Sequence, residues 1–83
     1  MRRQLERLVL LTIAACDGRP MPESALTSAV CGLARHLNPT LADVEEALRQ
    51  AEVDGFVSGA SEALMERSWT LTTEGIHKAR QLR

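Results

Sequence analysis

Histidine, cysteine and serine are the side chains from which a catalytic or metal site would be built here, and their spacing supports neither. His36, His77, Cys16 and Cys31 are the only histidines and cysteines. They would suffice in number for tetrahedral zinc, but they lack the short paired spacings of zinc sites. Both cysteines fall on apolar helical faces, which indicates free buried thiols, and a disulfide between them is the alternative.

Nucleophilic and phosphate-binding chemistry is missing from the sequence in the same way. No serine has an evident base partner, and no glycine-rich loop is spaced to hold a phosphate. We therefore expect a protein that is not an enzyme and that needs neither metal nor cofactor.

Carboxylates, in contrast, are concentrated in residues 40–54. This segment has a net charge of −4, whereas the whole chain has −1 and the remainder therefore +3. An acidic surface repels nucleic-acid phosphates and attracts cationic partners. The alternative is a solvated helix face, because carboxylates stabilise the first turns of a helix and Glu45 could pair with Arg49 four residues on. The charged residues are Asp43, Glu45, Glu46, Glu52 and Asp54 against Arg49.

Basic side chains cluster at the two ends of the chain. If the terminal helices are neighbours, these residues form one basic face that could contact DNA or an acidic protein. The alternative is that they are solvated helix ends. The residues are Arg2, Arg3 and Arg7, and His77, Lys78, Arg80 and Arg83.

The spacing of apolar residues predicts three helices in the first two thirds of the chain. The first covers residues 3–16, the second begins at Pro22 and ends before Pro39, and the third follows an N-cap at Thr40 and ends at Gly55. Asp43 should complete a capping box with Thr40. The expected inward residues are Leu5, Leu8, Val9, Ile13, Cys16, Leu26, Ala29, Val30, Leu33, Leu37, Leu41, Val44, Ala47, Leu48 and Ala51.

After Gly55 the period of the pattern changes from helix to strand. Residues 56–59 and 67–71 predict two short strands joined by a loop, and thus a hairpin. A last helix is capped by Thr72 or Thr73 and turns Ile76, Ala79 and Leu82 inward. A two-stranded hairpin must pack on the helices to be stable.

Length and composition favour one domain, residues 1–83, in the cytoplasm. Apolar residues are 45% of the chain and aromatic residues only 2%, so the core should be aliphatic and mostly helical. The apolar run at residues 8–16 is too short to span a bilayer.

Two stretches, "NPTLADVEEALRQAEVDGFV" and "WTLTTEGIHKARQL", resemble winged-helix domains. The first resembles the third helix running into the wing. In the second, Leu71, Thr72 and Gly75 fit the family's L-T-x-x-G pattern after the wing. The resemblance implies a mostly helical α+β fold with a three-helix core, a two-stranded β-hairpin wing and a C-terminal helix. The family includes DNA-binding regulators and modules that bind only proteins, so fold alone does not decide function.

The DNA-binding interpretation follows from the family. In DNA-binding relatives the third helix enters the major groove and the wing contacts the backbone. Thr40, Arg49, Gln50 and Arg67 are the matching contact candidates. Such a regulator would be a homodimer, because one domain buries too little DNA surface for strong specificity. The resemblance implies a contact through the first and last helices.

The protein-binding interpretation follows from charge, and we favour it slightly because phosphate repulsion is a physical objection to DNA. Its candidate residues on the third helix are Asp43, Glu45 and Glu46. The wing loop adds Leu64 and Met65, which would form an apolar partner surface if exposed. The alternative is that both fold back onto the core.

Overall fold

Four helices and three short strands make up the structure, a computed structural model that describes residues 2–61 and 65–82. A single 3₁₀ turn, Arg35–Leu37, joins the second helix to the third. The mostly helical α+β fold predicted from the sequence, with three core helices, a β-hairpin and a last helix, is confirmed. The elements are α1 (Arg2–Ala14), β1 (Met21–Pro22), α2 (Glu23–Leu33), α3 (Leu41–Val53), β2 (Val57–Ala60), β3 (Ser68–Leu71) and α4 (Thr73–Leu82).

The sheet is antiparallel, with strand order β1-β3-β2. The predicted hairpin is β2 and β3, in which Val57 lies opposite Leu71. The strand β1 was not predicted. It pairs Met21 with Trp69 on the other edge of β3, but two residues are too few for an alternating pattern to be visible. Pro22 is therefore an edge-strand residue and the N-cap of α2, and not part of its first turn.

The core is aliphatic, as the composition predicts, and α1 lies at its centre against the other three helices. Helices α1, α2 and α3 contribute small or branched apolar residues at helical spacing, Trp69 and Val57 bring the sheet onto the same cluster, and Leu82 of α4 packs against it. The buried set is Leu5, Val9, Leu10, Ile13, Leu26, Val30, Ala34, Val44, Ala47, Leu48, Ala51, Val57 and Trp69.

The beginning of α3 has the predicted cap. The Thr40 hydroxyl accepts the Asp43 backbone N–H at 3.1 Å, and the Asp43 carboxylate accepts the Thr40 N–H at 2.9 Å. The helix ends where Gly55 takes a φ of 83°, and the Phe56 N–H returns to the Ala51 carbonyl at 3.0 Å. The position and length of α3 are therefore encoded locally.

Three side chains that were predicted to face inward are exposed: Leu33, Leu41 and Ile76. Leu33 is 59% exposed because α2 ends there, and Leu41 is 57% exposed at the first residue of α3, before the helix meets the core. Ile76 is 44% exposed on α4, although Ala79 one turn later is buried. Periodicity predicts a face but not how far a neighbouring element extends along it.

The end of the first helix and the burial of the two cysteines also differ from the prediction. The helix α1 ends at Ala14 and not at residue 16, because Asp17 and Gly18 take left-handed φ values of 53° and 82°. Cys16 and Cys31 are free thiols, as expected, but they are half-buried and not fully buried.

Candidate functional site

The outward side of α3 is the surface that both functional interpretations use. Val44, Ala47, Leu48 and Ala51 are buried, so the residues opposite them on the helix point to solvent. Val53 there is 75% exposed, the largest exposed fraction among the exposed large apolar residues. We call this surface the α3 face and define it by Leu41, Ala42, Glu45, Glu46, Arg49 and Val53.

Three of the four DNA-contact candidates already hold intramolecular contacts. Thr40 caps the helix, and the Gln50 amide donates to the Asp54 carboxylate at 3.0 Å. The Arg67 guanidinium lies 2.9 Å from the Glu52 carboxylate. Arg49 is exposed on the α3 face.

The three acidic candidates also differ from one another. Asp43 is used in the cap, and Glu46 lies 3.8 Å from the Arg2 guanidinium while remaining solvent-exposed. Glu45 is half-buried, and the pair with Arg49 expected from helical spacing does not form. An exposed pair such as that of Glu46 and Arg2 is worth little, about 0–1 kcal/mol. Glu45 and Glu46 are therefore the acids left to interact with a partner.

The base of the wing is tied to the start of α2. The Trp69 indole N–H donates to Glu23 at 3.1 Å, and the Ser24 hydroxyl donates to Glu66 at 2.9 Å. The Arg67 guanidinium stacks 4.6 Å from the centre of the Trp69 ring. No pattern in the sequence identifies Glu23 as the partner of Trp69, although a buried indole N–H requires an acceptor. These contacts fix the wing relative to the helices.

A cleft of 330 Å³ separates α3 from the wing, and we call it the α3–wing cleft. Trp69 and Leu48 form its apolar floor. Three carboxylates and two guanidiniums surround it, so its charged rim is net negative. The charged lining residues are Glu23, Glu45, Glu52, Arg49 and Arg67.

The tip of the wing is described only in part. Met65 is 68% exposed, so of the two alternatives stated for this residue the exposed one holds. Leu64 lies outside the described residues.

The two basic ends of the chain do lie on neighbouring helices. The Arg7 guanidinium donates to the Leu82 carbonyl at 3.2 Å, where α1 passes α4. Among these basic residues of α1 lies Glu6. Burial raises the pKa of its carboxyl, the negative charge of Asp54 raises it further, and Arg2 and Arg3 act to lower it. Arg83, also assigned to the basic face, lies outside the described residues.

Within residues 2–61 and 65–82, no group of three or more His, Cys, Asp or Glu side chains could hold a metal ion. None of the helices there is long and apolar enough to cross a membrane.

Comparison with known proteins gives one similarity, at the level of fold. No protein-family model and no curated protein matches the sequence. Among solved structures the chain is similar to the crystal structure of SSV1 F-93, with a TM-score of 0.70 and 19% identity. The similarity covers 93% of this chain and 80% of that chain. At this identity it establishes the fold and transfers no residue role.

Proposed function

We propose that this chain is a winged-helix binding module without catalytic activity, and that its α3 face and wing dock on a protein partner in the cytoplasm. The observation that carries the proposal is the engagement of the groups expected to contact DNA. Thr40, Gln50 and Arg67 are held by intramolecular hydrogen bonds. The surface left free on α3 carries two carboxylates, exposed apolar side chains and the guanidinium of Arg49.

The composition of the α3 face fits a protein interface better than a phosphate backbone. Leu41 and Val53 are largely exposed apolar side chains, and burying them against a partner would be favourable by roughly 25 cal/mol per Å². Glu45 and Glu46 would face phosphates if this helix entered a groove, and phosphate contacts supply much of the affinity for DNA. A partner with basic and apolar side chains avoids this repulsion.

The α3–wing cleft adds a feature that a protein partner could use. Its charged rim is net negative, which suits one cationic side chain of that partner. Met65, 68% exposed, would extend the apolar contact beyond the cleft.

A second candidate function is DNA binding by a dimer, and two observations favour it. Arg49 is exposed at the centre of the α3 face, and Arg2 lies beside Glu46 and reduces the local negative charge. In this interpretation the homodimer would form through α1 and α4, which are neighbours. Arg49 and Arg67 would contact DNA after Arg67 leaves Glu52.

Reversing the charge of the α3 face should increase its affinity for nucleic acid. We expect Glu45→Lys with Glu46→Lys to raise non-specific affinity for duplex DNA by about tenfold or more at low salt, since each added cation releases counterions. Folding should barely change, because neither carboxylate is buried in the core. Fluorescence anisotropy and a urea titration measure the two effects.

A matched pair of variants separates position from total charge. Glu45→Gln with Glu46→Gln and Gln4→Lys with Gln81→Lys each add two positive units, but only the first pair lies on α3. As baits in host lysate, only the first should lose a partner captured by the wild-type chain. Equal capture by both double variants would contradict the proposed docking face. Unfolding of the variant with Glu45→Lys and Glu46→Lys would show that the assigned orientation of α3 is wrong.

A further inference from the structure

A second cleft lies between the end of α1 and α4, beside β3. Its volume is 400 Å³, within the range of small-molecule sites. Ile13, Leu71 and Ala79 line its inner wall, and Ile76 stands at its side. We call it the α1–α4 cleft. It shares no lining residue with the α3–wing cleft, although adjacent residues of β3 line the two.

The backbone after α1 helps to form this cleft. Asp17 and Gly18 take consecutive left-handed conformations and turn the chain at the end of the helix. Ile76 lies in the same cleft and remains 44% exposed, although Ala79 one turn on is 2% exposed. The exposed part of the Ile76 side chain is therefore available to a ligand.

The polar part of the lining is predominantly cationic. Arg19 and Arg80 contribute two guanidiniums, and Asp17 contributes one carboxylate. Both arginines are solvent-exposed and so lie at the opening, whereas the apolar residues lie deeper. This arrangement is complementary to a molecule with one anionic end and a short apolar body. A guanidinium binds a carboxylate through two parallel hydrogen bonds.

We propose that the α1–α4 cleft binds a small amphipathic carboxylate. The carboxylate contacts Arg19 and Arg80, and the apolar body lies against Ile76, Leu71 and Ile13. This site shares no residue with the α3 face and is therefore separate from protein binding there, whereas a homodimer through α1 and α4 would compete with it.

Octanoate is the probe, and octanamide is the uncharged control of equal length. We expect octanoate to bind the full chain with a Kd of about 1 mM or tighter, and octanamide to bind at least about tenfold more weakly. Amide chemical-shift changes in a ¹⁵N NMR titration should be centred on Ile13, Leu71 and Ile76. Shifts centred elsewhere, or no binding, would overturn the proposal.

Variants test the two halves of the site separately. Arg80→Gln should weaken octanoate about fivefold or more without changing octanamide, and Ile76→Gln should weaken both. Leu33→Gln, an exposed apolar position on α2, is the control and should change neither. Equal loss in the control would contradict the site. Sedimentation showing a dimer that Ile76→Gln dissociates would also contradict it, since a second copy would then occupy the cleft.

Discussion

Gly75→Ala is expected to destabilise the folded state strongly. Gly75 is buried in the first turn of α4, where a Cβ atom would collide with the carbonyl oxygen of Phe56 and lie 2.8 Å from its carbonyl carbon. The obstacle is backbone, so no side-chain rotation relieves it. That carbonyl also accepts the Thr72 N–H at 3.0 Å, which holds the two segments together.

The expected cost is large relative to the stability of a small domain. We expect a loss of more than about 3 kcal/mol from a total of about 5–15 kcal/mol, measured by urea unfolding followed by circular dichroism. Gly32→Ala is the matched control, because no atom lies within 4 Å of its added Cβ. It should be neutral or stabilising by up to about 1 kcal/mol. Equal behaviour of the two variants would contradict the packing of α4 on Phe56.

Leu48→Ala should lower the free energy of unfolding by about 2–5 kcal/mol. Leu48 is 2% exposed and lies in the central cluster, so its removal leaves a cavity between α3 and its neighbours. Smaller side chains such as Ala47 and Ala51 flank it and cannot fill the space. Urea titration at constant m-value measures the loss.

Leu41→Ala is the same substitution on the same helix and serves as the control. Leu41 is 57% exposed, so its loss should cost less than about 1 kcal/mol. If Leu48→Ala cost as little, the assignment of the inner and outer sides of α3 would be wrong. The α3 face would then have to be redefined, because it is drawn opposite Leu48.

The parts of the fold that the sequence predicts are those decided by neighbouring residues. The Thr40 and Asp43 cap, the stop at Gly55 and the buried stripe of α3 each depend on spacings of a few residues. Strand β1 and the exposure of Leu33 depend on where another segment begins or ends. The residue pattern around each position does not show where that segment lies.

The same distinction explains the candidate site. The acidic character of α3 is visible in the sequence, but the partners of its side chains are not. Arg67 reaches Glu52 from fifteen residues away, and Trp69 reaches Glu23 from forty-six. Only the fold brings these pairs together, and they change Arg67 from a free wing cation into a paired one.

Binding of the wild-type chain to mixed-sequence duplex DNA tests the central claim most directly. We expect fluorescence anisotropy at low salt to detect no binding up to tens of micromolar protein, because Glu45 and Glu46 would face the phosphates and Arg67 would have to leave Glu52 to reach them. Tight binding that weakens steeply as salt is raised would contradict the account and assign the α3 face to DNA.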